Sequence, residues 1–343
     1  GIELSPRHLL RKVIALYADK GWKAVVAPEM ELYLTKTNID TNQPLEAPLG
    51  KSGRAEIGRQ SFGIDAISEF DPLLKDIYLW AGEQGLELDI VVHEEGRAQF
   101  EFNFNHGDPL NLADQVFVFK RTVKAAAEKH GVTATFMAKP ISDQPGSAMH
   151  IHQSIVDIAS GTNIFSDENS DSGFSEAFYH YMGGLQKYTS QVMPMYAPNV
   201  NSYRRFLLDQ ATPTNLHWGI ENRTVGLRVP DAPAIAKRVE NRLPGADANP
   251  YLAIAATLIC GYIGMMEKIT PSAETTHKAN KEPNEHLPRN IEASIEMMGC
   301  SDTLREYLGD TFVDGFLATR EAEYNNFKSV VTSWERHYLL TTV

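Results

Sequence analysis

The sequence predicts an α+β fold built on one large, mainly antiparallel sheet. Three observations carry that expectation. Strand-like runs alternate apolar and polar residues with period two, as in "APEMELYLT" and "AQFEFNF". Helix-like runs are interspersed among them without any internal repeat. No Gly/Ser-rich or Pro-rich linker divides the 343 residues, so residues 1–343 read as a single domain.

Taken in order, the first helix is expected over about 6–20, with Ser5 as cap and Pro6 at the first helical position. A strand follows at about 23–35, then a polar, Gly-rich excursion over 36–64. A helix at about 72–84 leads into strands at 86–92 and 97–105. Further helices are predicted at 109–130, 173–193, 249–267, 287–298 and 312–338, and further strands at 132–138, 147–156, 216–229 and 235–242. The apolar run "YLAIAATLICGYIGMM" lacks charge but contains two glycines and falls short of a bilayer crossing, so it reads as a core helix started by Asn249 and Pro250. The stretch 269–286 is polar and reads as a surface loop.

The charge balance is 32 basic against 44 acidic residues, a net of −12. That argues against nucleic acid or an anionic membrane as main partner, while a local arginine cluster remains compatible with an anionic substrate. The two cysteines, Cys260 and Cys300, form no CxxC and argue against a disulfide scaffold or a thiolate metal site. A reducing, cytoplasmic setting is expected, and no signal peptide is visible at the start.

The chemistry concentrates in a few strands. Period two puts Glu29 and Glu31 on one face and Met30, Leu32 and Leu34 on the other. Strands disfavour glutamate, and two on one face repel unless a cation lies between them; a solvated sheet face is the alternative. In "EEGRAQFEFNF", Phe100, Phe102 and Phe104 face the core and Glu101, Asn103 and Asn105 the other side, with Glu94 just before the turn at Gly96. In "GSAMHIHQS", His150 and His152 share a face, as a metal or phosphate site or as two ordinary polar positions. In "RVENRLPGADANPYL", Arg238, Glu240 and Arg242 form one row. Arginines grip phosphate or carboxylate through paired hydrogen bonds, and Arg204, Arg205, Arg223 and Arg228 add to the set. Carboxylates with an imidazole and no thiolate favour Mg²⁺ or Mn²⁺. Divalent ions with arginines suit phosphoryl transfer. The absence of GxxxxGK[ST], GxGxxG and GxSxG excludes a P-loop, a dinucleotide crevice and a nucleophile elbow.

The blocks "PEMELYL", "AQFEFN", "GSAMHIHQS", "NSYRRF", "NRTVGLRVP" and "RVENRLPGADANPYL", in this order, resemble the glutamine synthetase family over nearly the whole chain. "ATFMAKP", "PNVNSYRRF" and "RLPGADANPYL" are most similar to its γ-glutamylpolyamine synthetase branch. The resemblance implies a glutamine synthetase-like catalytic domain, ATP as co-substrate with two or more Mg²⁺ or Mn²⁺ ions, and glutamate and an amine as substrates. It implies that Glu31, Glu94 and Glu101 hold the metal near the glutamate and amine, and that Glu29, His150 and Glu240 hold the metal at the ATP phosphates. His152 and Ser154 match nucleotide-side residues. Arg205 and Arg242 match residues that hold glutamate, and Arg228 and Arg238 those that stabilise the transferred phosphoryl group. It further implies a γ-glutamyl phosphate intermediate, a closing loop, and a homo-oligomeric ring, hexamer or dodecamer.

Departures from the family pattern refine the expectation. The loop position that carries a glutamate in ammonia-using members is Ala211, in "LLDQATP", with Asp209 nearby. An amine larger than ammonia is therefore expected, with true glutamine synthetase, a silent structural homologue and a guanidino kinase as alternatives. Pro145 and Ala148 stand where the family has Asn and a second glycine around Gly146, altering contacts to the glutamate amino group. The family's N-terminal β-domain is expected to be absent from this chain. No tyrosine occurs in 269–286, where the bacterial ammonia enzymes carry their adenylylation site, so that control is not expected.

Overall fold

A computed structural model describes residues 2–58, 60–207, 212–284 and 286–343. In chain order it contains α1 (Pro6–Ala18), β1 (Trp22–Lys36), α2 (Ile64–Ser68), α3 (Asp71–Glu83), β2 (Leu88–His93), β3 (Gln99–Phe104), α4 (Pro109–Lys129), β4 (Val132–Thr135) and β5 (Met149–Asp157). After α5 (Glu176–Tyr196) and a 3-10 turn (Val200–Phe206) come β6 (Trp218–Ile220), β7 (Leu227–Val229) and β8 (Val239–Asn241). The chain closes with α6 (Pro250–Glu267), α7 (Ile291–Gly299), α8 (Asp302–Leu308), α9 (Asp310–Lys328) and α10 (Ser333–Leu339).

Helix starts follow their caps. The Ser5 hydroxyl accepts from His8 N, Asp108 from Leu110 N and Asn111 N, and Asn249 from Tyr251 N and Leu252 N, each followed by proline at the first position. The eight strands form one sheet in the order β2-β3-β1-β5-β8-β7-β6, with β4 on the far end of β1. All the paired strands are antiparallel except β6 with β7. Pro28 is tolerated inside β1 because it sits between the bridge Val26–Gly107 and the first full pair with β3, Glu29 opposite Asn103.

The helices α1, α4 and α6 pack on one face of β1 and β5. Phe100, Phe102 and Phe104 enter that core, with Phe102 and Phe104 edge-on or tilted against Phe119 of α4. Helix α6 is 18 residues long and apolar enough to cross a membrane, yet 83% of it is buried within the protein. At 18 residues it is longer than the run expected from sequence, and burial rather than length marks it as a core helix. It packs against α5 at glycine: a Cβ on Gly184 would lie 2.2 Å from the Cys260 carbonyl oxygen and 2.6 Å from Gly264 Cα.

Two expected elements divide. The run 216–229 is broken into β6 and β7 because Glu221 adopts φ 51° and the Asn222 side chain accepts from Thr224 N, closing a turn between them. The long helix expected over 312–338 is instead α9 and α10. Helix α9 ends at Lys328, and Thr332 starts α10 with a capping box to Glu335. A short helix, α8, precedes them and ends at Gly309 with φ 93°. The excursion over 36–64 is irregular among the described residues until α2 begins at Ile64.

Candidate active site

The sheet face opposite α1, α4 and α6 carries the predicted side chains. Register alone sets them side by side: Glu29 lies opposite Asn103 on β3 and His150 on β5, Glu31 opposite Glu101, and Glu240 opposite His152 and Arg228. Donor atoms of Glu29, His150 and Glu240 lie within 4.8 Å of one another, and so do those of Glu31, Glu101 and His150. His150 belongs to both groups. Glu94 stands beside the second group, where its charge pushes on Glu31 and Glu101, but it is not among those mutually close atoms.

Each carboxylate is held in a defined way. Glu29 accepts from His152 Nε2 at 2.8 Å through one oxygen and from His150 Nδ1 at 3.1 Å through the other, ring tautomers being assigned from these contacts. Glu240, 1% exposed, receives Arg242 at 2.7 Å on Oε1 and Arg228 at 2.6 Å on Oε2, with His150 Nδ1 at 3.6 Å. Glu31 accepts from Ala148 N at 2.8 Å and from Gln99 Nε2 at 3.3 Å. Arg238 donates through Nε to His152 Nδ1 at 3.2 Å. Arg205, 2% exposed, is anchored by its guanidinium on the carbonyls of Leu243 and Arg242. Its stem lies against Gly146, where a Cβ would come within 2.5 Å of Arg205 Cγ, so only glycine fits there.

The titration of these groups follows from burial and crowding. Burial, then the charge of Glu94, pushes Glu31 up to about 8. Burial, then the charges of Glu29, Glu31, Glu94 and Glu240, pushes Glu101 up to about 10. Glu94 is raised chiefly by burial. Burial acts the same way on Glu29 and Glu240, but the imidazoles outweigh it at Glu29, and Arg242 and the imidazoles hold Glu240 down at about 2. His150 is lowered by burial and by Arg242, so its neutral, ligating form is favoured.

The donor set fits hard divalent cations: carboxylate oxygens and one imidazole nitrogen, without thiolate. The anion side fits as well. The buried Nε atoms of Arg205, Arg228 and Arg242 have no acceptor among the described residues, and a buried donor left unmade costs about 1–3 kcal/mol. A cavity of about 480 Å³ opens beside Glu29, His152, Ser154 and Arg238, with Asn103 and His106 on its wall.

These shifts predict a pH-dependent, metal-linked stability. A carboxylate with a raised folded value stabilises the fold fully below its ordinary value near 4.5 and loses that contribution as pH rises through the folded value. In chelator, the thermal midpoint is therefore expected to fall between about pH 5 and pH 8 through Glu31. Mg²⁺ is expected to restore it while displacing protons into the buffer. Midpoints in chelator that stay flat across this window, with no proton release on titration, would refute the assignment.

Glu29, Glu31, Glu101, His150, His152, Arg238, Glu240 and Arg242, expected from strand spacing, meet here with Ser154, Arg205, Arg228 and Gly146, expected from the family resemblance; Arg205 reaches in from the 3-10 turn and Gly146 from the loop before β5. Arg223 is exposed, and its charge reaches Glu94, while Arg204 is exposed on the 3-10 turn. Ala211 and Asp209 lie outside the described residues. Gln99 was missed, although it precedes Glu101 by two in the same alternating run and so shares its face.

Comparison with known proteins agrees with this geometry. The model describing the glutamine synthetase catalytic domain matches residues 3–339. Aligned over 343 residues, the chain is 34% identical to glutamate–isopropylamine ligase from Pseudomonas sp, covering 97% of this chain and 73% of that protein. It is 32% identical to glutamine synthetase from Clostridium saccharobutylicum, covering 97% and 75%. A solved structure of GmaS without ligand superposes with a TM-score of 0.88 at 30% identity, over 99% of this chain and 78% of that one.

Proposed function

The chain belongs to the glutamine synthetase catalytic-domain family and is a ligase that forms C–N bonds; from that premise we propose that it joins glutamate to an amine larger than ammonia, with ATP as co-substrate. The observation that carries this reading is the meeting, on one sheet face, of two carboxylate–imidazole groups, four arginines and a cavity open beside His152. Glu29, His150 and Glu240 would hold one cation, and Glu31 and Glu101, with Glu94 beside them, would hold another. When bound, such cations would supply positive charge against the phosphoryl oxygens of ATP. Arg205 and Arg242 bind the glutamate carboxylate, with Gly146 letting Arg205 approach. His152 and Ser154 face the nucleotide. Arg228 and Arg238 meet the charge that develops as the γ-carboxylate takes the terminal phosphoryl group. An amine then displaces phosphate from the γ-glutamyl phosphate, which needs shielding from water.

Two features support the larger amine: the alanine at position 211, and the 34% identity to a ligase named for isopropylamine. Glutamine synthesis from ammonia is the second reading, favoured by the 32% identity to a glutamine synthetase. Phosphate release from ATP, Mg²⁺ and glutamate across ammonia, isopropylamine, ethanolamine, putrescine and spermidine decides between them. We expect at least one amine to exceed ammonia by about tenfold or more in kcat/KM, the discrimination that one or two buried methylenes supply. Strongest release with ammonia would overturn the larger-amine reading, and no release with any amine would overturn the ligase reading.

The reading extends to one catalytic domain, which the continuous core supports, and to a homo-oligomeric ring, which exposed apolar residues such as Trp334, Leu340 and Val343 near the C-terminus support. A reducing, cytoplasmic setting is supported by two free cysteines, one of them exposed.

A further inference from the structure

Outside the strip just described, one buried pair has no part in the proposed reaction. His93, the last residue of β2, is fully buried, and its ring stands edge-on to Phe100 at 5.2 Å. Its Nδ1 lies 2.7 Å from the Glu94 carbonyl oxygen, and its Nε2 lies 3.0 and 3.1 Å from the two carboxylate oxygens of Glu56. A carbonyl only accepts, so Nδ1 carries a proton and donates it. That leaves Nε2 facing the carboxylate of Glu56. Glu56 comes from the polar excursion after β1, yet its side chain is only 7% exposed. The same carboxylate accepts from Ala98 N at 2.7 Å.

Ala98 adopts φ 53°, a left-handed conformation that costs a residue with a Cβ about 1–3 kcal/mol. It does so inside the turn between β2 and β3, from Glu94 to Gln99, which is also tied by backbone bonds, by the Gln99 side chain, by Arg97 N donating to Gln144 Oε1 at 3.2 Å and by an Arg97–Asp143 ion pair. The excursion docks here a second time, where Phe62 N donates to the His93 carbonyl at 2.8 Å. One carboxylate thus grips both ends of the turn that carries Glu94.

We infer that Glu56 and His93 are positioning residues, a clamp that aims Glu94 at the Glu31–Glu101 group and sets cation affinity and amine use there. The inference goes beyond the ligase reading for the same site, and its first readout, cation binding, is independent of turnover.

The test uses Glu56→Ala, Glu56→Gln and Glu56→Asp in the full-length protein. Mn²⁺ and Mg²⁺ are titrated calorimetrically, KM is measured separately for ATP, glutamate and amine, and thermal unfolding is followed throughout. Glutamine can accept from Ala98 N and donate to Nε2, so it preserves the grip; aspartate is one methylene too short. Glu56→Ala and Glu56→Asp are expected to weaken the affected cation about 10- to 100-fold and to raise the amine KM more than that for ATP. Glu56→Gln is expected to stay within about threefold of the parent protein. The inference fails if Glu56→Ala or Glu56→Asp binds both cations as the parent does while melting earlier, because the pair is then structural. It fails equally if Glu56→Gln loses as much as Glu56→Ala, because charge rather than aim then matters. Loss of amine-dependent phosphate release in the parent would instead strike the ligase reading, leaving the cation titration to decide this one.

Discussion

Replacing Glu240 with alanine is expected to lower kcat/KM on the order of a thousandfold and the stability of the fold by about 3 kcal/mol. Both effects come from one carboxylate. Glu240 supplies a donor to the group formed with Glu29 and His150. It is also the shared counter-charge of Arg228 and Arg242, which bind its two oxygens at 2.6 and 2.7 Å. Removing it leaves two guanidinium groups side by side in a nearly closed environment, and breaking a buried pair costs far more than an exposed one returns. Glu240→Gln separates the contributions. It keeps the shape and one acceptor, so most of the stability is expected to survive while activity stays lost. Phosphate release and urea unfolding of the two variants check this. A Glu240→Ala protein within tenfold of parent activity would end the assignment.

Substituting His150 with alanine is expected to weaken both cation-binding events by at least about tenfold. His150 is the one residue common to the two groups. It is buried, and its neutral form is favoured by burial and by Arg242, which suits a ligating nitrogen. His152, two residues on and on the same face, is the natural control. It touches Glu29 and Arg238 but belongs to neither group. His152→Ala is expected to raise the ATP KM and to weaken only the cation held with Glu29, leaving the Glu31–Glu101 cation near its parent affinity. Calorimetric titration with Mn²⁺ distinguishes the two, and unchanged cation affinity in His150→Ala would refute its place at the centre of the strip.

Much of this site could be read from local pattern because a strand converts spacing into facing. Glu29 with Glu31, Glu101 two residues from Asn103, and His150 with His152 each needed only period two. The phenylalanines between them identified which side was core. What local pattern could not supply was the neighbour across the sheet. Arg242 shares the row of Glu240, but nothing near Glu240 in the chain says that Arg228 binds its other oxygen, and nothing near Glu94 points to Glu56. Short elements were illegible for a different reason. Strands of three residues, such as Trp218–Ile220 and Leu227–Val229, hold too few residues to show a period. The break between α9 and α10 lay in a run whose polarity continues the helical pattern, and only the capping geometry of Thr332 reveals it.

The sheet order has a consequence for how the protein comes to life. Its strands meet in an order unlike that of their synthesis, with β5 joining β1 and then β8 joining β5 only after long intervening stretches of chain have emerged. The donors at positions 29, 150 and 240 therefore cannot assemble on a nascent or partial polypeptide, and closing such distant pairings is the slow part of making a sheet. A cation that binds only the finished arrangement draws the last docking events forward by mass action. The magnesium content of the refolding medium is then expected to govern how much chain reaches maturity, before any substrate is encountered.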